Sequence, residues 1–366
     1  METNLARAGN KRIRIASKSI RCVQAMRLVL DYDQQFEGVM AYNAAEALML
    51  SKQGFKDVLL GYPVVNKSWL KAIAEASKQG AYICLMADSY KHLQLAQEAA
   101  VQTGAVLPVC IDLDVSDSYP GLHFGVWRSS IMQLDQLNDL LDKLSKMPQL
   151  RLEGLMGYEA QVAGVPDAAP GGGLKNSVIS LLKKRSVNSV AKRRAAAVQL
   201  INDRGLELSF VNGGGTGSFE STRAETCVTE VTLGSGLYQS HLFDYYRNFE
   251  LQAALFYALE IVRQPQPDIY TCYSGGYTAS GSVGPLKAPK VYLPETGYLD
   301  KLEGAGEVQT PIRFRHLTED LDLGDPILMR HAKAGELLER FNELFFLEDG
   351  KLTAVKTYRG DGYNFG

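Results

Sequence analysis

Apolar and polar positions follow two rhythms along this chain. Over the first two-thirds, short β-type apolar runs alternate with stretches whose apolar residues recur every three or four positions. The runs predict strands at Arg12–Ala16, Gly38–Ala41, Asp57–Gly61, Tyr82–Met86, Leu107–Leu113, Leu152–Gly157, Leu208–Val211 and Glu230–Leu233. The intervening stretches predict helices, among them Ala44–Lys52, Ser68–Lys78, Tyr90–Thr103, Leu134–Lys146 and Ser177–Asp203, with a short connection at Ser218–Thr226. Strands separated by helices imply right-handed βαβ units and a parallel sheet. The number of strands and the length they span match the ~250 residues of a (β/α)8 TIM barrel. A doubly wound open sheet shares the same local pattern.

From about Ala254 the rhythm changes. Runs rich in Tyr, Val, Gly and Pro predict strands at Leu259–Arg263, Ile269–Tyr273, Val291–Leu293, Ile327–Arg330, Leu337–Phe346 and Leu352–Tyr358, with Ser274–Pro285 and Gly304–Pro311 as connections. The expected organisation is a barrel over residues 1–250 and a mostly antiparallel β domain over 251–366. Val165–Gly173, with two prolines and three consecutive glycines, reads as a loop.

Composition narrows the function classes. With 39 Lys+Arg against 41 Asp+Glu, the chain has no charge bias toward nucleic acid or an anionic membrane. The basic cluster from Lys183 to Arg194 falls in a helical pattern and reads as a solvated face. The five cysteines are scattered without CxxC spacing, which fits a reducing cytoplasm. No run reaches membrane-span length and the five histidines show no paired spacing.

The strongest chemical signal is Val211-Asn-Gly-Gly-Gly-Thr-Gly-Ser218, a strand running into glycines and hydroxyls. Such a turn lets backbone approach a ligand and aims N–H groups at an anion, with phosphate the natural guest. In a barrel the loops after strands seven and eight commonly form a phosphate site. Here those loops are Gly213–Gly217 and Gly234-Ser-Gly236. Across the mouth, strand one ends in Ala16-Ser-Lys-Ser19, and a desolvated lysine there can form a Schiff base. A phosphorylated aldehyde, pyridoxal phosphate, links the two features economically. Tyr42, Tyr62 and Tyr158 follow strands two, three and six, where packing and ligand contact are equally good uses. Arg128 follows strand five and suits an oxyanion; Asp112 and Asp114 share one face of that strand. His331 follows a strand pattern and is expected to be a hydrogen-bonded structural residue.

Several stretches in the same order resemble the fold-type III pyridoxal-phosphate enzymes: D-threonine aldolase, D-serine dehydratase and, more distantly, alanine racemase. They are Ile15-Ala-Ser-Lys-Ser-Ile-Arg-Cys22, Gly154-Leu-Met-Gly-Tyr-Glu-Ala-Gln161, Phe210–Ser218, Glu303-Gly-Ala-Gly-Glu-Val-Gln-Thr-Pro311 and Arg330-His-Ala-Lys-Ala-Gly-Glu336. The similarity is greatest to the amino-acid deaminase/aldolase subgroup. It implies an alanine-racemase-type barrel followed by a C-terminal β domain. It assigns Lys18 to the Schiff base, Arg128 to the cofactor's phenolic oxygen and Tyr158 to its ring. Gly214, Gly215 and Thr216 match the first phosphate loop, and Gly234 and Ser235 the second. It implies a homodimer in which Gly304–Glu336 meets the partner's barrel mouth.

Two departures follow. In D-threonine aldolase and D-serine dehydratase a His and, two positions on, an Asp or Cys bind a divalent metal such as Mn2+ or Zn2+. Here His331 is kept but Lys333 stands at the second position, and a protonated ammonium cannot ligate. No metal is therefore expected, and Lys333 is expected to place its own charge there. The family also carries an extra strand and helix before the lysine, where this sequence has 17 residues, so a truncated or displaced start is expected. The expected activity is a lyase acting on β-hydroxy D-amino acids, with His331 as aldolase base or Lys18 as dehydratase base. Alternatives are an amino-acid racemase, a non-catalytic pyridoxal-phosphate carrier, and a phosphate-binding barrel enzyme in which Lys18 is merely electrostatic. The substrate side chain is not readable.

Overall fold

The computed structural model describes residues 1–281, 284–317 and 320–365. Ser282 and Val283 of the Ser274–Pro285 connection, Thr318 and Glu319 of the Gly304–Glu336 stretch, and Gly366 of the 251–366 domain lie outside the described residues. Among the described residues, eight parallel strands close a barrel: β1 (Arg12–Ala16), β2 (Phe36–Ala41), β3 (Val58–Pro63), β4 (Ile83–Ala87), β5 (Leu107–Asp112), β6 (Leu150–Gly157), β7 (Phe210–Gly213) and β8 (Glu230–Leu233). Each strand pairs with its successor, and β1 closes on β8 with Arg12 opposite Glu230 and Ile15 opposite Leu233. The open-sheet alternative is excluded by that closure.

Alternation along the strands builds two cores. Leu59, Cys84, Met86, Cys110, Met156 and Phe210 fill the barrel interior, while Ile13, Ile15, Val39, Leu60, Leu85 and Val109 face the surrounding helices. Asn43 and Ser89 cap helices Ala44–Lys52 and Tyr90–Thr103 by accepting from the Glu46 and His92 amides. Arg14 also points inward, fully buried, with Nε 2.6 Å from Glu230 and Nη1 2.9 Å from Asp57. A short helix, Glu2–Ala8, precedes β1 and was not legible in the pattern. It docks on the loops after β7 and β8: Arg7 donates to the Thr216 carbonyl (2.6 Å) and Asn4 to that of Gly236 (3.1 Å).

The second unit is a six-stranded antiparallel sheet with its own apolar core. Its strands are β9 (Tyr257–Gln266), β10 (Ile269–Tyr273), β11 (Lys290–Leu293), β12 (Gly297–Leu299), β13 (Gln309–Phe314) and β14 (Pro326–Arg330), in the spatial order β11-β14-β9-β10-β13-β12. Two expectations are corrected. Leu337–Phe346 is not one strand: Ala334–Leu338 is a helical turn packed on the β1 terminus, and only Glu343–Glu348 is extended. Gly304–Pro311 is not wholly a connection, because β13 begins at Gln309 and pairs through Pro311 with Thr271. Glu343–Glu348 and Lys351–Lys356 form a separate hairpin whose Leu344, Phe346 and Val355 pack against the barrel core. Tyr358 continues that contact, donating to Glu46 at 2.9 Å. No helix among the described residues is long and apolar enough to cross a membrane.

Candidate active site

The C-terminal ends of the barrel strands surround a cavity of about 170 Å³. Lys18, Arg128, Tyr158, Gly214, Gly215, Thr216, Gly234 and Ser235 all line it. These positions span most of the barrel sequence, and the barrel's closure brings them together.

Lys18 sits in a one-turn 3-10 segment, Ser17–Ser19, that β1 delivers to the mouth. Ser17 and Ser19 are buried on either side while Lys18 is exposed to the cavity. Ser17 pins the turn by donating to the Met40 carbonyl at 2.8 Å, and Arg21 donates to the Lys18 carbonyl at 3.0 Å. The Lys18 ammonium donates to the Tyr62 hydroxyl at 3.4 Å. Arg128 lies over two rings, 5.8 Å from Tyr62 and 5.3 Å from Tyr158. Partial burial works to raise the Tyr62 phenol, but the Lys18 and Arg128 charges outweigh it and hold the phenol below its usual value. Tyr158 is pushed the other way: burial raises it to about 12 against the opposing charge of Arg128. Asp112, at the end of β5, is raised to about 7 by burial and by Asp88, against Arg128.

Beside the Lys18 turn the two glycine loops interlock. Gly214 has φ +80°, a left-handed conformation that favours glycine. A Cβ on Gly234 would stand 2.8 Å from Ser19 Oγ, so only a bare backbone lets the second loop close on the Lys18 turn. Thr216 Oγ1 accepts the Gly236 N–H at 2.9 Å, which leaves the threonine's own hydrogen for a guest. Ser19 Oγ and Ser235 Oγ stand 3.4 Å apart at the same corner. An anion here meets hydroxyls and backbone, and a lysine amine lines the same cavity. That donor set fits a phosphorylated aldehyde.

The pattern also left some lining residues unnoticed. Asn212 and Thr232 form the cavity floor and bond reciprocally at 2.9 and 3.0 Å, while Asn212 also donates to Glu230 at 2.8 Å. A polar residue inside an apolar strand, as in Phe210-Val-Asn-Gly213, was the available signal. Ser19 was legible only as a neighbour of Lys18.

His331 and Lys333 do not line the cavity. His331 is 1% exposed, and burial, with His241 and Arg330 nearby, lowers it to about 3, so its imidazole is neutral. Among the described residues the Leu255 backbone is the hydrogen-bonding neighbour of its ring, outside full hydrogen-bond geometry, and the His331 carbonyl accepts the His241 N–H at 3.0 Å. The Lys333 ammonium lies 2.9 Å from Ser280 Oγ and 3.0 Å from Glu336. Its charge is thus already paired within the chain. Among the described residues no group of three or more His, Cys, Asp and Glu side chains is arranged to hold a metal.

The family model described as "Alanine racemase, N-terminal domain" matches residues 2–241. D-threonine aldolase from Arthrobacter sp. is 24% identical over 253 residues, covering 68% of this chain and 60% of that protein. This chain therefore spans about three-fifths of that relative's length. Among solved structures, D-threonine aldolase from Filomicrobium marinum superposes with a TM-score of 0.81 at 18% identity, covering 99% of this chain and 90% of that one. D-threo-3-hydroxyaspartate dehydratase from Delftia sp. HT23 gives 0.75 at 16% identity, covering 97% and 92%. At these identities the structural likeness establishes the fold.

Proposed function

Because this chain belongs to the alanine racemase N-terminal domain family, we propose that it is a pyridoxal-phosphate-dependent lyase acting on β-hydroxy D-amino acids. The observation that carries this reading is the placement of Lys18 and two glycine–hydroxyl loops around one cavity. When bound, pyridoxal phosphate supplies an aldehyde that joins an amine covalently and a ring that draws electron density from an amino acid's Cα.

Lys18 is the amine that holds the cofactor, and its turn is rigid on both sides. Thr216 and Ser235 hold the phosphate by their hydroxyls, within loops shaped by Gly214, Gly215 and Gly234. Arg128 would pair with the phenolic oxygen, and Tyr158 would stand at the ring. In retro-aldol cleavage a base takes the β-hydroxyl proton, the Cα–Cβ bond breaks, and glycine and an aldehyde leave. His331 is the proposed base; its imidazole is neutral, though the burial that lowers it to about 3 also weakens it as a proton acceptor. Lys333 completes the proposed set, with Glu336 and Ser280 fixing where its charge lies. In the dehydratase variant of the reaction Lys18 takes the Cα proton instead.

The proposed organisation divides the chain into a cofactor-binding barrel over 1–250 and a domain over 251–366 that completes the site. It is a homodimer in which Gly304–Glu336 meets the partner's barrel mouth. Five free cysteines support a cytoplasmic location.

The test is the visible absorbance of the purified chain with pyridoxal phosphate, before and after borohydride, beside Lys18→Ala. A band bleached by borohydride and missing from the variant is expected. Incubation with D-threonine and D-serine then separates the outcomes by product: glycine plus aldehyde, or ammonia plus 2-oxo acid. Only the L-isomer would make the chain a racemase, and full loading without turnover would make it a carrier. No band in the wild type would sink the cofactor reading.

A further inference from the structure

Glu159 follows Tyr158 directly but turns out of the cavity, beneath the first phosphate loop, where it is 2% exposed. One carboxylate oxygen accepts from the Gly214 N–H at 3.2 Å and from Arg194 Nη2 at 2.8 Å. The other accepts from the Ser218 hydroxyl at 2.6 Å and from the Thr222 hydroxyl. Arg194 is fully buried and is anchored further by the Gly157 carbonyl at 2.6 Å and by Glu225. Its positive charge lets an anion lie beneath a loop built to receive another anion.

Proton directions follow from this pairing. An ionised carboxylate only accepts, so the Ser218 hydrogen points at Glu159. The competing acceptor, the Gly215 carbonyl, is 3.4 Å away and uncharged. With its hydrogen so directed, Ser218 Oγ accepts the Gly215 N–H at 3.1 Å. Two successive amides, Gly214 and Gly215, are thereby drawn to the inner side of the loop. What the loops still offer a guest includes the Thr216 hydroxyl, whose oxygen is already occupied by the Gly236 N–H, and the Ser19–Ser235 pair.

We propose that Glu159 is a positioning residue for phosphate recognition: by accepting from Gly214, Ser218 and Thr222 it holds the loop in the shape that turns the Thr216 hydroxyl toward the cavity. This inference rests on the pyridoxal-phosphate reading. It assigns the discrimination of phosphorylated from unphosphorylated aldehyde to a residue that touches neither.

The experiment compares dissociation constants for pyridoxal phosphate and for pyridoxal, which lacks the phosphate, in the wild type, Glu159→Gln and Ser218→Ala. Glutamine replaces one acceptor with a donor, so it either opposes the Gly214 N–H or forces the Ser218 and Thr222 hydroxyls to reverse and accept. Glu159→Gln is expected to weaken pyridoxal phosphate binding about ten-fold or more and leave pyridoxal unchanged. Ser218→Ala keeps the Glu159–Arg194 pair, so it carries the test if Glu159→Gln folds poorly; it is expected to lose several-fold on the same ligand only. Equal losses on both ligands, or no loss on either, would overturn the proposal. A wild type that binds both aldehydes equally, or neither, would overturn the phosphate reading itself along with it. A wild-type preference that both variants retain would overturn the role of Glu159 alone.

Discussion

Gly335 lies flat against the main-chain carbonyl of Lys18. A Cβ built at 335 would fall under 3.0 Å from that oxygen, and the next-nearest atom is the Lys18 carbonyl carbon. Neither can move without shifting the turn that presents the ammonium. The helical turn Ala334–Leu338, from the far end of the chain, is therefore a wall of the lysine's seat.

Gly335→Ala is expected to cost about 1–3 kcal/mol through overpacking. It should also lower the fraction of protein that takes up aldehyde. Urea titration and the absorbance of the loaded protein check the two effects, and an unchanged midpoint with full loading would show that the turn yields freely.

The Lys18–Tyr62 contact gives a spectroscopic prediction. The phenol sits below its usual value because the Lys18 and Arg128 charges outweigh partial burial. Lys18→Met removes one of those charges and is expected to raise the Tyr62 titration. Phenolate absorbance, differenced against the same background carrying Tyr62→Phe, isolates this residue from the other tyrosines. A titration that stays in place would mean that Lys18 does not govern the phenol.

Asp112 sets a pH dependence. Its carboxyl is raised in the folded state from 3.8 to about 7, through burial first and Asp88 second. The folded chain thus holds a proton that the unfolded chain releases near pH 4. The contribution to stability is complete below that pH and is lost as pH rises through about 7. Asp112→Asn removes the titration, so it is expected to stabilise by about 1–2 kcal/mol at pH 8 and by little at pH 4. Denaturant midpoints at the two pH values decide it; equal effects at both would be contrary.

Beneath the cavity, Arg14 and Glu230 are each 1% exposed and 2.6 Å apart. Arg14→Ala leaves the Glu230 carboxylate buried with its guanidinium gone, which is expected to cost about 3–5 kcal/mol. Asn212 bonds both Glu230 and Thr232, so the loss should reach the cavity floor as well. Chemical denaturation measures the first effect and pyridoxal phosphate affinity the second. A loss below about 1 kcal/mol would show that water enters and solvates the carboxylate.

What was legible was whatever a local pattern encodes. Arg12–Ala16 and Glu230–Leu233 were read with the bounds they have, since apolar runs between glycines and polar turns leave little choice of period. The glycine loops were legible as backbone that must come close to something. The helical turn at Ala334–Leu338 was not, because its apolar pair Leu337-Leu338 suits a strand as well as a helix. Its contact with Lys18, over three hundred residues away in sequence, made the difference. Strand β13 escaped because Pro311, which cannot donate to a ladder, sits at its centre. Glu159 was visible in a motif without a role, since its partners Arg194, Gly214, Ser218 and Thr222 become neighbours only when the barrel closes.

By itself, then, the amino-acid sequence determined the order of strands and helices, and with it which end of the barrel carries Lys18, Arg128 and the loops at Gly214 and Gly234. Parallel strands joined by helices all finish on one side, so chain order alone places those residues together. Only the tertiary structure decided that Gly335 seats the lysine, that the Gly214 and Gly215 amides turn inward, and that His331 is enclosed while Lys333 pairs with Glu336. Those outcomes depend on hydrogen-bond directions and contacts a few ångströms long between distant segments, and periodicity carries no record of them.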